Sequence, residues 1–282
     1  IADAKVNDEN GIALLFGELV SIRGIVTVAN HFGSPSYVQD NSGGISIFSP
    51  SFSGSVQIGD EVFVSGTVTQ FNGLNQLEFP ILHSVISTGN SVEPLIATPA
   101  QLSNDGIGGV EYFEGRLVRV NNVIVTELNG TAVSNWAYKN YLLTGTGPND
   151  VVEIRIDNDT EIIGTVAPAG RFDVVGVLSQ FKPSLPYIGG YQVMPRMLSD
   201  IISTGPIIEK FPEEVDLTPN SITLEWETIN PGTSRIRYGT TTNYELGVIE
   251  PDNDLRRVHN VTVSGLNVAA IYNLQAFSVS NT

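Results

Sequence analysis

The 282-residue chain contains no cysteine. Thiol nucleophiles, disulfides and thiolate metal sites are thereby excluded. A secreted domain of this size can do without disulfides, so the absence leaves the compartment open. Histidine is almost missing too. His31, His83 and His259 stand far apart, and none falls in a metal-binding spacing. No Ser-His-Asp, phosphate-loop or G-x-S-x-G pattern is present. No apolar run approaches the roughly 20 residues of a membrane helix, so no membrane insertion is expected. No basic-then-apolar leader precedes Ile1, which is read as a signal peptide removed or left out. Basic residues are scarce, 14 against 30 acidic, for a net charge of −16. Residues 1–110 carry 2 basic and 10 acidic groups, residues 111–200 carry 7 and 10, and residues 201–282 carry 5 and 10. Such a field repels a phosphate backbone at long range. It favours solubility outside the cell and argues against nucleic acid as a partner of these residues alone.

What is abundant is strand-forming sequence. Hydrophobic residues make up 41%, enough for a core in each of two or three domains. Short runs rich in Val, Ile, Thr, Tyr and Phe lie between Gly, Asn, Asp and Pro clusters. They predict strands at residues 19–29, 36–39, 44–48, 61–70 and 76–87. Val20, Ile22, Gly24, Val26 and Val28 alternate with Ser21, Arg23, Ile25 and Thr27, so one face points inward. Five strands in about 90 residues, the first long enough to bend, suit a small closed barrel.

The pattern then recurs. Gly66 falls on Gly176, Gln70-Phe71 on Gln180-Phe181, and Gln76 on Gln192. Ile86-Ser87-Thr88-Gly89 matches Ile202-Ser203-Thr204-Gly205, and residues 1–18 match 96–115. One small domain is used twice. The second copy lacks the Gln-Asp-x-x-Gly-Gly turn of the first. It gains Trp136-Ala-Tyr-Lys-Asn-Tyr141 and a proline-rich insert at 182–191, predicted to form a loop over one end of the barrel, beside the Trp136 run.

The order GELVSIRGIVTV, YVQDNSGGISIF and VQIGDEVFVSGTVTQFNGLNQL resembles the OB-fold domains of large secreted bacterial proteins, including extracellular nucleases. Tyr191-Gln-Val-Met-Pro-Arg196 resembles the closing strand of that family. From Phe211 onward, SITLEWET, SRIRYGTTTNYELG, RRVHNVTVSGL and AIYNLQAFSVS resemble a fibronectin type III domain. That resemblance implies a core Trp226, Tyr238 on the third strand, and a tyrosine corner at Leu266 and Tyr272. Six of its seven strands are visible. The resemblance therefore implies that the chain continues past Thr282 or that a neighbouring subunit supplies a strand. The expected architecture is all-β: two tandem OB-like five-stranded barrels at 1–92 and 93–205, then a sandwich at 206–282, with linkers near 89–96 and 203–210.

OB-folds bind through aromatics on their second and third strands and flanking loops. The first copy offers Phe32, Tyr37, Phe48 and Phe71. The second offers Trp136, Tyr138, Tyr141, Phe181 and Tyr187, with Lys139 and Lys182 nearby. This second set is the candidate ligand site, though the same rings also serve as barrel core. Asp157, Asp159 and Glu161 have an oxygen-ligand spacing that a Ca²⁺ ion could use, against the simpler reading of a polar turn. No other cofactor is expected.

Two functional readings follow. The first is a non-catalytic extracellular or cell-surface array, serving structure, adhesion or assembly beside neighbouring domains or subunits, a filament subunit being one form. The second is a substrate-binding accessory region of an extracellular nuclease or phosphoesterase. A polysaccharide-binding module would use the same aromatics without positive charge.

Overall fold

The computed structural model describes residues 1–168, 170–203 and 205–279. Among them no helix is long and apolar enough to cross a membrane. The chain is nearly all β. Residues 1–202 pack as one compact unit and the residues from 203 onward as a second.

The first strands form where the alternation predicts them: β1 (Leu19–Val28), β2 (Ser36–Gln39), β3 (Gly44–Ile47), β4 (Glu61–Phe71) and β5 (Leu74–Ser87). They close in the order β1-β2-β3-β5-β4. β3 and β5 run parallel and the other neighbours antiparallel. Ile22, Val26, Val38, Ile45, Val62, Val64, Val68 and Leu77 fill the interior. Each such side chain contributes roughly 1.5–3 kcal/mol when fully buried. A short helix α1 (Pro50–Ser53), capped by Ser49, brings Phe52 into the same core.

The second copy repeats this ring with β7 (Leu117–Thr126), β8 (Asn140–Thr144), β9 (Val151–Arg155), β10 (Phe172–Gln180) and β11 (Tyr191–Met194). β7 pairs with β8 and β10, β8 with β9, β9 in parallel with β11, and β11 with β10. The closing pairs correspond: Val20 opposes Gly66, and Val118 opposes Gly176. A Cβ on Gly176 would lie 2.7 Å from the Met194 carbonyl oxygen, so the sheet needs glycine there. The copies differ at the last strand. β5 is one long run, whereas its counterpart is divided into β11 and β12 (Ile201–Ser203), both beside β10. Ahead of the second ring, β6 (Leu95–Ile96) joins β7. Helix α2 (Pro99–Ser103) starts in a capping box made by Thr98 and Gln101.

The second unit holds two three-stranded sheets. One contains β13 (Ile208–Thr218), β14 (Ser221–Gly232) and β17 (Arg256–Ser264). The other contains β15 (Arg235–Gly239), β16 (Gly247–Ile249) and β18 (Asn273–Phe277). Trp226, Ile236, Val261, Val263 and Ala276, drawn from both sheets, share a core. The Trp226 ring stacks on buried His259 at 4.9 Å. Tyr238 lies on β15, and the Tyr272 hydroxyl accepts a hydrogen bond from the Asn267 backbone N–H at 3.0 Å. β18 is an edge strand among the described residues. Thr204, the end of the expected edge at residue 280, and the last residues 281 and 282 lie outside the described residues.

Candidate functional site

The two barrels present the same strands but not the same surface. In the first barrel every residue of β2 and β3 is buried, because the second barrel covers that face. Val28, Phe32 and Tyr37 pack with Val177 and Met194. The Tyr37 hydroxyl bonds to Ser179 Oγ at 3.0 Å, and Gln39 Oε1 accepts the Leu117 N–H at 2.8 Å. Arg196, held bidentately by Asp200 at 2.9 Å, donates to the Thr27 carbonyl at 3.0 Å. At the tightest point two glycine backbones meet. A Cβ on Gly44 would stand 2.2 Å from the Gly115 carbonyl. Phe32 and Tyr37 are therefore interface residues. Phe48 and Phe71 remain exposed outside that cluster.

In the second barrel the equivalent face, β8 and β9, is only half-covered: burial alternates strictly along both strands. Asn140 stands opposite Arg155, Leu142 opposite Glu153, and Glu153 opposite Gln192 of β11. Asn140 ties the row together. Its Oδ1 accepts from Arg155 Nη1 at 2.9 Å, and its Nδ2 donates to Glu153 at 2.5 Å and to Gln192 at 3.2 Å. Beside this row lies a cavity of about 250 Å³ lined by Ser103, Leu142, Val151, Glu153, Gly190 and Tyr191. The Arg155 guanidinium sits 4.6 Å over the ring of Tyr138, which is 54% exposed. A planar cation stacked on an open ring is the kind of platform on which a base stacks.

The loop between β7 and β8 is aimed by its own aromatic run. Trp136 and Tyr141 point inward and pack edge-to-face at 5.1 Å. The Tyr141 hydroxyl accepts the Ala137 N–H at 2.7 Å, and Gly164 N–H donates to the Trp136 carbonyl at 2.8 Å. These anchors turn Tyr138 and Lys139 outward. Lys139 pairs with Glu127 at 2.8 Å. The structure thus sorts the predicted aromatics. Tyr138 borders the face, while Trp136 and Tyr141 are core residues that position it.

The 182–191 insert is fastened to the first barrel. Lys182 N–H donates to the Asn72 carbonyl at 2.6 Å, and Tyr187 N–H to the Asn10 carbonyl at 2.8 Å. Gln180 Nε2 holds the loop through the Tyr187 and Gly189 carbonyls, 2.9 Å each. Phe181, at its base, is 54% exposed, Lys182 is half-buried, and Tyr187 abuts Gly11. Asp157, Asp159 and Glu161 are not gathered around one point. Among the described residues no group of three potential ligands could hold a metal. Asp157 accepts the Asp159 N–H at 3.1 Å, and Glu161 accepts the Leu198 N–H at 3.1 Å. The first is the bond of a polar turn, and the second joins residues 37 apart in the chain.

One cluster was not anticipated. Lys5, Asp105, Glu111, Glu114 and Tyr191 are all buried at the seam between the barrels. Tyr191 donates to the Glu111 carboxyl at 2.9 Å, and Asp105 accepts the backbone N–H groups of Tyr112, Phe113 and Glu114 at 2.7–2.8 Å. Burial, reinforced by Glu114 and Asp105, pushes the Glu111 carboxyl up to about 9. Burial likewise raises Glu114 to about 7 and lowers Lys5, against the pull of its acidic neighbours. The visible signal was a lysine between Ala4 and Val6 and two glutamates flanking Tyr112-Phe113.

No described protein family matches the chain. Over 193 residues it is 28% identical to Endonuclease YhcR of Bacillus subtilis (strain 168), a stretch covering 65% of this chain and 15% of that protein. The chain therefore spans a small part of its relative's length, and it is similar there to a segment of an endonuclease.

Proposed function

We propose that residues 1–202 form a non-catalytic accessory region of an extracellular nuclease, and that the β8–β9 face of the second barrel holds single-stranded nucleic acid. The observation that carries this reading is the contrast between the faces. The β2–β3 face is consumed as an interface, while the β8–β9 face stays half-exposed and is bordered by Tyr138 under Arg155. Similarity to part of an endonuclease supports the same direction. Charge, the argument against nucleic acid, is mildest here: residues 111–200 carry 7 basic against 10 acidic groups, compared with 2 against 10 before them. Stacking and one guanidinium then supply affinity that the overall field opposes. The last unit serves as a fibronectin-like spacer.

Titration of fluorescent single-stranded DNA at low and moderate salt tests this. Binding is expected at low salt, weakening as salt rises. Tyr138→Ala should cost about 1–3 kcal/mol, the worth of one stacked base. Arg155→Ala should in addition reduce the salt slope by about one. Absence of binding at low salt would sink the proposal.

A further inference from the structure

We propose that Lys5, Asn75 and Glu114 are a self-crosslinking triad, in which the Lys5 amine and the Asn75 side chain join as an amide with Glu114 carrying the proton. The proposal stands apart from nucleic-acid binding and concerns how the N-terminal segment is held.

The three side chains come from distant parts of the sequence. Lys5 ends the short 3-10 turn Ala2–Lys5, Asn75 lies on β5, and Glu114 precedes β7. All are sealed from water: Asn75 and Glu114 are fully buried, and Lys5 is 4% exposed. One oxygen of Glu114 stands between the other two groups, 3.8 Å from Lys5 Nζ and 3.2 Å from Asn75 Nδ2. Its other oxygen accepts the Asn75 backbone N–H at 3.4 Å. As an ion pair this is poor. The amine gives its hydrogen bond to the Glu114 backbone carbonyl instead of the carboxylate, and a buried pair without good geometry does not recover its desolvation. Asn75 Oδ1 is buried with no donor, a carbonyl oxygen left for a proton to approach.

The burial that makes a poor salt bridge makes a good nucleophile. It drives Lys5 toward the neutral amine and Glu114 toward the protonated acid. The Lys5 nitrogen attacks Cγ while Glu114, lying on the Nδ2 side of the Asn75 amide, carries the proton to the leaving nitrogen. The new bond is Nζ–Cγ and the broken bond is Cγ–Nδ2. The proton released by the amine passes through Glu114 to Nδ2, which leaves as ammonia. Nothing is oxidised or reduced and no co-reactant is needed. In a chain without cysteine, such a bond would tie the N-terminal segment to the barrel as a disulfide does elsewhere.

The test is the intact mass of the purified chain, followed by proteolytic digestion. The expected result is a mass one ammonia below that of the sequence, with a branched peptide joining Lys5 to Asn75. Asn75→Ala and Glu114→Gln should each restore the full mass and remove the branch. A wild-type chain of full mass overturns the proposal. So does a deficit that survives in Asn75→Ala, which would place the loss of ammonia elsewhere, for example at Asn72-Gly73. Should a variant fail to fold, the wild-type mass and branched peptide still decide.

Discussion

Replacing Glu111 with Gln should change how the barrel pair responds to pH. In the folded chain the Glu111 carboxyl is buried between Tyr191, Asn7, Lys5, Asp105 and Glu114. It keeps its proton up to about 9, whereas in the unfolded chain it loses it near 4.5. Between those values the unfolded state binds fewer protons, so stability falls as pH rises. The slope is at most about 1.4 kcal/mol per pH unit for one group. Between pH 6 and pH 8 this amounts to about 3 kcal/mol. Glu114, raised to about 7, acts in the same sense over the lower part of that range. Lys5 acts in the opposite sense, because its folded-state value is lowered. Comparing Glu111→Gln with wild type isolates the Glu111 contribution. Glutamine retains an acceptor for the Tyr191 hydroxyl and cannot ionise. Urea unfolding followed by Trp136 fluorescence in a Trp226→Phe background gives the stability of this unit at each pH. The variant should gain on wild type by up to about 3 kcal/mol on going from pH 6 to pH 8. Parallel pH profiles for the two proteins would refute the reasoning, because they would mean that Glu111 ionises in the folded chain as it does in the unfolded one.

Other consequences can be measured in the same way. Gly44→Ala forces a methyl group into the Gly115 backbone. It should cost about 1–3 kcal/mol or more and expose the barrel seam to limited proteolysis. Trp136→Ala should destabilise the second barrel by about 3–5 kcal/mol, seen as a lower urea midpoint. It should also weaken DNA binding through displaced Tyr138. In the last unit His259 is buried and its folded-state value lies below 6.5, chiefly from desolvation. The unfolded chain takes up that proton first, so this unit should lose stability as pH falls below about 6.5. His259→Gln should flatten the loss in thermal melts.

Strand positions were legible because half-buried strands carry a period of two. The expected 36–39 matches β2, and the expected 19–29 overshoots β1 by one residue. The repeat was legible as well, since Gly66 and Gly176 hold one structural role at the closing pair of each ring. Pairing between barrels was not. A buried Tyr37 and an exposed Tyr138 both read as strand aromatics, and what separates them is a neighbouring domain 142 residues away at Ser179. The direction of the Trp136–Tyr141 run was hidden for a related reason. Which ring turns inward is decided by bonds to Gly164 and Thr165, far along the chain. The proline-rich insert was legible as a loop, but it was expected beside the Trp136 run, whereas Lys182 and Tyr187 bond to Asn72 and Asn10 of the first barrel.

The meeting of Gly44 and Gly115 has a consequence for valency. A duplicated binding domain ordinarily offers two sites, and a flexible linker between them multiplies affinity through effective concentration. Here the β2–β3 face of one copy is buried against the other. On the proposed reading the pair offers one site, and should bind a strand with a simple hyperbolic isotherm, one molecule per chain. Lengthening the strand beyond the span of one barrel face should bring no gain through avidity.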